Sequence, residues 1–178
     1  MGKLLAILTL VFFLQSCQKK MNKAAENTVQ EISKVSKLVK IKETIVISKK
    51  HKPNSIVCDL DGDRLSDTVQ IVRNAKNEKY GLKIIFGNKK VKYLGMGKAI
   101  AGQGFDDLDW VGIFEVAPKN EIYYNNVDED GTILTEDQVK ESDKIKLTND
   151  GIFIHQAESC GGGVIYLKNG KFEWIQQE

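Results

Sequence analysis

Short runs of β-branched and aromatic residues recur along the chain from residue 42 onward, separated by Gly, Asn and Asp. Runs of this kind, bounded by turn residues, are typical of strands in antiparallel sheets. We predict strands at residues 44–47, 67–73, 80–86, 91–94, 110–116, 121–124, 144–147, 152–155, 164–167 and 171–175. The pattern predicts a mostly β domain of antiparallel sheet, built as a sandwich, a propeller-like structure or a barrel, with one or two short helices.

Turn and helix signals lie between these runs. Asn169-Gly170 separates the last two, and Asn-Gly accepts the positive φ that both central positions of a tight hairpin turn require. Residues 136–143 predict a short helix, with Thr135 as a candidate N-cap and Gln138 at the third helical position.

The amino-terminal pattern is different, because residues 4–14 are apolar except for one threonine. A membrane-spanning helix needs about 20 apolar residues, whereas a basic start followed by a shorter apolar run is typical of a signal peptide. The run ends in LQSC at Cys17, which resembles the lipobox of bacterial lipoproteins. The resemblance implies removal of residues 1–16 and a membrane anchor of several acyl chains on Cys17, which together hold far more firmly than one.

Residues 17–41 read as a lipidated tether. The polar stretch at 18–28 lacks a fold signal, and its lysines favour anionic headgroups. Apolar residues then recur at the spacing of a helical face, at Val29, Ile32, Val35 and Leu38. This segment would be either a short helix packed on the domain or a helical part of the tether, and one β-rich domain follows at residues 42–178.

Net charge excludes one class of partner. The chain has 26 Lys and Arg against 24 Asp and Glu, and loss of Lys3 with the signal peptide leaves 25 against 24. No strong field remains to attract nucleic acid. His51 lies in a lysine-rich stretch, and we expect it to be solvated.

Two cysteines remain after lipidation of Cys17. The exported compartment is oxidising, so one interpretation is a disulfide between Cys58 and Cys160 that contributes about 4 kcal/mol in the chain-entropy model. The alternative is two separately buried thiols, with Cys58 pointing into the core.

An acidic loop at residues 59–67 (DLDGDRLSD) is the clearest candidate for a functional site in the sequence. Its carboxylates occupy loop positions 1, 3, 5 and 9, at Asp59, Asp61, Asp63 and Asp67. The backbone carbonyl of Leu65 would supply position 7. Acids this close repel one another unless a cation or strong hydrogen bonds compensate, and calcium takes hard oxygen ligands from loops of this kind. We predict a structural calcium site; the alternative is a solvated acidic turn.

The loop differs from an EF-hand, because Gln70 occupies position 12 and a strand follows. It resembles the integrin-α/FG-GAP type of calcium loop, which has acids at the same four positions and runs into a strand, here DTVQIV. The resemblance implies a calcium ion that clips the entry of that strand. Those loops usually carry Gly at position 6, so Arg64 should show either an altered backbone or a guanidinium–acid contact, with Gly62 as partial compensation.

Trp110 follows a glycine-containing stretch and an acidic cluster. In one interpretation it belongs to a ligand-binding loop and stacks on a sugar or a protein partner. In the other, Phe105 and Trp110 reach back from a glycine-shaped turn to the core.

Residues 155–163 gather reactive side chains beside three glycines, at His155, Glu158, Ser159 and Cys160. A catalytic site would use Ser159 or Cys160 as nucleophile and His155 as base, but no orienting group can be identified. A binding loop that includes His155, Glu158 and Ser159, or a bulged strand crossing, are the alternatives.

The segment SCGGGVIYLKNGKFEWI is similar to the closing strands of bacterial periplasmic lysozyme inhibitors, where a Gly-containing Ser segment precedes a Tyr and a Lys-bearing strand. Ser159 and Lys171 would be the matching residues. The resemblance implies an inhibitor or immunity role.

The leading interpretation is a non-enzymatic, calcium-stabilised lipoprotein of the bacterial cell envelope. We expect it to be lipid-anchored, to face the periplasm, and to bind another macromolecule, either an envelope protein or a glycan. A lysozyme-type hydrolase inhibitor or immunity protein is the more specific alternative. A hydrolase that uses the segment from His155 to Cys160 is the alternative of another class.

Overall fold

The computed structural model describes residues 44–128, 130–158 and 161–178. The predicted signal peptide, Cys17 and the tether lie outside these residues, as do Ser159 and Cys160. A compact unit spans Ile45–Glu178. Within the described ranges, no helix has the length and apolar character needed to cross a membrane.

The described residues form eleven strands: β1 (Ile45–Ile47), β2 (Ser55–Cys58), β3 (Asp67–Asn74), β4 (Tyr80–Ile85), β5 (Val91–Gly95), β6 (Ile113–Ala117), β7 (Ile122–Tyr123), β8 (Ile145–Lys146), β9 (Gly151–His155), β10 (Gly162–Lys168) and β11 (Lys171–Gln177). Every pair of these strands is antiparallel. The predicted mostly β, antiparallel class is confirmed.

The first sheet has the order β1–β3–β4–β5, and β2 also pairs with β3. β1 lies against the carboxyl half of β3, and β2 lies against its amino half. The two short strands therefore form one edge, which is interrupted at residues 48–54. Backbone hydrogen bonds of 2.9 Å, from Ser48 N to Ile71 O and from Ile71 N to Asn54 O, hold both ends of the interruption against β3.

His51 lies inside this interruption and is buried, so the expectation that it is solvated is wrong. Its Nε2 lies 3.1 Å from Leu108 O, and its Nδ1 lies 2.7 Å from Ser48 Oγ. Because a carbonyl oxygen only accepts, Nε2 donates to Leu108 and Nδ1 accepts from the Ser48 hydroxyl. The ring also meets Tyr80 edge-on, with centroids 4.9 Å apart. Its two nitrogens therefore tie the 48–54 segment to the loop that contains Leu108.

We expect the folded domain to lose stability in mild acid, because it holds His51 in its neutral form. Burial first, and then the charge of Lys50, lowers the pKa of His51 below its ordinary 6.5. The unfolded chain therefore binds this proton at a higher pH than the folded chain, and the free energy of unfolding falls as pH drops below 6.5. Urea unfolding between about pH 8 and about pH 5 should show this fall, and His51→Gln should make it shallower. Identical slopes in the parent and His51→Gln would contradict the prediction.

The second sheet has the order β11–β10–β9–β6. Lys168 pairs with Lys171 at the end of the β10–β11 hairpin. Asn169 and Gly170 between them have φ of 51° and 77°, so the predicted tight turn is confirmed.

The inner faces of the two sheets meet in one apolar core, which is the layering of the sandwich alternative. Because side chains alternate across a strand, every second residue of the central strands points inward. Buried members from the first sheet are Val69, Ile71, Leu82 and Ile84. Those from the second sheet are Phe114, Ile152, Ile154 and Ile165.

A second apolar cluster covers the opposite face of the second sheet. Its buried members are Ala117, Leu147, Val164, Tyr166 and Ile175, with Tyr123, Ile145 and Phe153 packed against them. Some of these residues belong to β7 and β8, which pair with each other. The second sheet is therefore buried on both faces.

The predicted helix at residues 136–143 is replaced by two 3₁₀ helices, Glu136–Gln138 and Glu141–Asp143. Val139 between them has extended backbone, with φ of −92° and ψ of 132°, which prevents a continuous helix. The predicted cap is present in part, since Thr135 N donates to Gln138 Oε1 at 2.8 Å.

Candidate functional site

The acidic loop at residues 59–67 connects β2 to β3. Leu60, at its second position, is fully buried in the core. Gly62 and Arg64 have φ of 77° and 67°. The altered backbone expected at Arg64 is therefore present, although a residue with a Cβ adopts this region at a cost. Leu60 anchors the loop, and the two left-handed residues bend it.

This bend brings three of the four predicted carboxylates together. Asp59, Asp61 and Asp67 each offer one oxygen, and these atoms all lie within 4.8 Å of one another. Asp59 and Asp61 are half-buried, and Asp67 is fully buried. Asp63 lies outside this group, and its Oδ1 accepts Leu65 N–H at 2.8 Å. Metal ligation by Asp63 and by the Leu65 carbonyl stays a prediction.

The Asp67 carboxylate joins two turns at one end of the first sheet. Its Oδ2 accepts the backbone N–H of Leu60, and its Oδ1 accepts that of Gly87, both at 2.8 Å. Burial raises the pKa of Asp67, the two backbone donors oppose this shift, and the charges of Asp61 and Asp63 add to it. Asp67 therefore holds the acidic loop to the turn after β4 through contacts that need no metal.

The other carboxylates are oriented by bonds within the loop. Asp59 Oδ1 accepts from Gly62 N at 2.9 Å, and its Oδ2 accepts from Arg64 N at 3.2 Å. Asp61 Oδ1 accepts from Asp63 N at 3.3 Å. Among the ion pairs of the described residues, none involves Arg64, so the alternative guanidinium–acid contact is not found.

Asp150 braces the loop from the second sheet, a role that the sequence analysis missed. Its Oδ2 accepts Asp59 N–H at 2.9 Å, and its own N–H donates to Asp59 O at 3.1 Å. Its Oδ1 accepts Lys119 N–H at 3.0 Å. Asn149 Nδ2 donates to Leu60 O at 3.4 Å. Asn149-Asp150-Gly151 has the composition of a turn, and an acid within a turn is the only signal for this role in the sequence.

The donor set fits calcium. Carboxylate oxygens are hard ligands, and a calcium ion completes its six to eight ligands with carbonyls and water. Each carboxylate oxygen has two lone pairs, so accepting one N–H leaves the other available to a cation. In the described part of the chain, no Lys, Arg or His forms an ion pair with Asp59, Asp61 or Asp67. The negative charge gathered here is therefore not compensated by a basic side chain.

Cys58 is a buried free thiol at the end of β2 that leads into the loop. Burial raises its pKa to about 12, and the charges of Asp150, Asp67 and Asp59 act in the same direction. The thiol packs into the core, which is the unpaired alternative, so the predicted disulfide is not formed at Cys58. Its predicted partner, Cys160, lies outside the described residues.

Aromatic side chains line a cleft of about 240 Å³ elsewhere on the domain. The lining residues are Phe105, Trp110, Gln156, Gly161, Gly162, Trp174 and Gln176. The Phe105 ring meets Trp110 and Trp174 edge-on, with centroids 5.7 and 5.2 Å apart. All three rings are half-buried and pack against the core. Trp110 therefore reaches back to the core, as one interpretation expects, and still lines an open cleft.

The glycines at the start of β10 allow this packing. A Cβ on Gly163 would overlap the Trp174 ring, and a Cβ on Gly162 would overlap the His155 ring. Glycine thus lets an aromatic ring lie directly on each face of the strand.

His155, the last residue of β9, is not among the described residues that line the cleft. Its ring is stacked on Phe153, with centroids 5.8 Å apart and planes 6° apart. Its Nδ1 donates to Gln156 O at 2.8 Å. The nucleophiles considered for His155, Ser159 and Cys160, lie outside the described residues, and the catalytic alternative stays a prediction.

The other predicted binding residues are dispersed. Glu158 is exposed. Lys171 is exposed at the β10–β11 turn, three residues from Trp174, which is about 10 Å along an extended strand. The predicted binding loop therefore contributes Trp110 to the cleft, whereas His155 and Lys171 lie apart from it.

Comparisons with known proteins do not suggest a function, so a proposal for the function must be based on the geometry of these sites. No protein-family model matches the chain, and no curated protein or solved structure matches it with significant similarity.

Proposed function

We propose that this protein is a non-enzymatic, calcium-stabilised lipoprotein of the cell envelope that binds another macromolecule. The observation that carries the proposal is the convergence of Asp59, Asp61 and Asp67 within 4.8 Å. Their charge has no basic partner among the described residues. The LQSC sequence at Cys17 supports the lipid anchor.

A calcium ion at this site would act as a clip between elements that are distant in sequence. Asp67 belongs to β3 and binds the turn after β4 through Gly87 N–H. Asp59 is hydrogen-bonded to Asp150, which immediately precedes β9 of the second sheet. A bound calcium ion would offset the repulsion among the three carboxylates. It would thereby stabilise both the link from Asp67 to the turn after β4 and the link from Asp59 to Asp150. The domain would then present a fixed surface to its partner beyond the membrane.

Calcium should raise the melting temperature of the purified full chain, and EDTA should reverse the rise. A ligand that binds only the folded state adds about 2.7 kcal/mol at a concentration of 100 Kd. Calcium sites of extracellular modules have Kd values of about 10⁻⁴ to 10⁻³ M, so the titration should extend to about 10 mM or beyond. Circular dichroism during heating measures the shift.

Asp61→Asn separates ion binding from the structure of the loop. The amide keeps the oxygen that accepts Asp63 N–H but loses the charge. We expect its melting temperature without calcium to equal or exceed that of the parent, and its response to calcium to fall. Asp128→Asn is the matched control, because Asp128 is an exposed turn acid whose Oδ1 also accepts backbone N–H groups. A parent melting temperature that neither calcium nor EDTA changes would refute the calcium site.

A further inference from the structure

The aromatic cleft combines features that the proposed calcium site does not explain. Three half-buried rings, Phe105, Trp110 and Trp174, share one opening. Among the described residues that line the cleft, none is Asp, Glu, Lys, Arg or His. Two glutamines and two glycines complete the described wall. Binding sites for small ligands are typically apolar concavities with a few placed polar groups, and this cleft has that composition.

The size of the cleft limits its occupant. Pockets that enclose drug-sized ligands measure about 300–1,000 Å³, and this cleft measures about 240 Å³. It therefore has room for one ring-sized group, with the rest of the ligand extending into solvent. A ligand with several such rings in a chain would satisfy this geometry.

The side-chain amide of Gln176, at the rim of the cleft, is held in place by two hydrogen bonds. Gln176 Oε1 accepts Trp174 Nε1–H at 3.0 Å, and Gln176 Nε2 donates to Glu178 Oε1 at 2.8 Å. A primary amide has two N–H donors and two lone pairs on its oxygen, so one of each remains available. A fixed donor and a fixed acceptor on one planar group suit adjacent hydroxyls, each of which both donates and accepts.

The absence of a cationic side chain among the described lining residues also selects against anionic ligands. A phosphate or a carboxylate placed here would lose water without gaining a cationic partner. A neutral sugar ring carries hydroxyl groups at its edge and C–H groups on its face. The C–H face matches the half-exposed rings, and the hydroxyl edge matches the amide of Gln176.

We propose that this cleft binds a neutral saccharide, with one sugar ring against Trp110 and Trp174 and its hydroxyls on the Gln176 amide. The proposal refines the macromolecular partner of the proposed function to a neutral glycan. It rests on that binding role, and it is independent of calcium at the acidic loop.

Indole fluorescence offers a direct test, because the chain has two tryptophans and both line the cleft. The full chain should be purified in a detergent without sugar headgroups and titrated separately with cellotriose, chitotriose and maltotriose to about 10 mM, well above a Kd of about 1 mM. We expect at least one saccharide to change the emission with a saturating curve. No change with any of them would overturn the proposal, as would a change with a proline-rich peptide alone.

Two variants test whether the saccharide binds in this cleft. The Kd of each variant is measured by saturation-transfer NMR on the saccharide. Trp110→Ala should raise the Kd at least tenfold, and Gln176→Leu should raise it severalfold while leaving all three rings in place. Tyr93→Ala, which removes an aromatic ring 41% exposed on β5, should leave the Kd unchanged. An unchanged Kd in Gln176→Leu and in folded Trp110→Ala would overturn the proposal. A calcium-dependent melting temperature without any saccharide response would overturn it too, and would leave the calcium site standing.

Discussion

Asp67→Ala should cause a large loss of stability even when calcium is absent. The substitution removes the acceptor of two backbone N–H groups, those of Leu60 and Gly87. A buried donor left without a partner costs about 1–3 kcal/mol; the hydrogen bond from Leu60 is buried, and that from Gly87 is part-buried. Loss of the repulsion from Asp61 and Asp63 offsets part of this cost, because those charges act on the same buried carboxylate. The expected net effect is a fall of about 2–4 kcal/mol in the free energy of unfolding, measured in urea with EDTA present.

The Asp67 prediction has a matched control in Asp128→Ala. Asp128 also accepts two backbone N–H groups, from Asp130 and Thr132, but it is exposed. Water replaces the lost acceptor there, so the change should stay within about 0.5 kcal/mol. Equal falls in the free energy of unfolding of the two variants would contradict the prediction. They would mean that burial does not determine how much the Asp67 hydrogen bonds contribute to stability.

Local signals account for the features that the sequence analysis predicted correctly. The alternation in DTVQIVR places Val69 and Ile71 on one face, and these side chains are buried in the core. The Asn169-Gly170 turn needs only two residues that accept positive φ. Convergence of Asp59 and Asp61 likewise follows from a loop of a few residues. In each case the determining interactions lie within a short stretch of chain.

The edge strand β2 and His51 were missed because their structure depends on distant residues. β2 has four residues, SIVC, and follows a lysine-rich segment with a proline. The pairing that makes it a strand is with β3, and the burial of His51 comes from Leu108. Nothing within residues 48–58 indicates either contact, so composition alone favoured a solvated linker.

The same limit applies to the cleft and to the brace at Asp150. Trp110 precedes β6 and Trp174 lies in β11, so no spacing in the sequence relates them. Both rings pack against Phe105 and so line the same cleft. Asp150 similarly reaches Asp59 across the two sheets. Single residues such as Trp110 can be marked as candidates from sequence, whereas their partners emerge only from the folded arrangement.

Leu60→Ala should destabilise the domain and weaken calcium binding together. Leu60 is the second residue of the acidic loop, lies between Asp59 and Asp61, and is fully buried in the core. Removing most of a buried leucine side chain costs about 2–5 kcal/mol, because the site keeps part of the cavity. The anchor that positions the two neighbouring carboxylates is then lost, so the chain must order them when the ion binds. We expect a lower urea midpoint without calcium and a higher Kd for calcium.

Leu65→Ala is the control within the same loop, because Leu65 is 51% exposed. Its truncation should change the free energy of unfolding by no more than about 0.5 kcal/mol and leave the Kd for calcium as in the parent. Urea unfolding and calcium titration calorimetry on the parent and both variants separate the two effects. If Leu60→Ala lost stability but bound calcium with the parent Kd, the three carboxylates would converge without their hydrophobic anchor. The loop itself, through the backbone bonds that Asp59 accepts from Gly62 and Arg64, would then be sufficient to form the site.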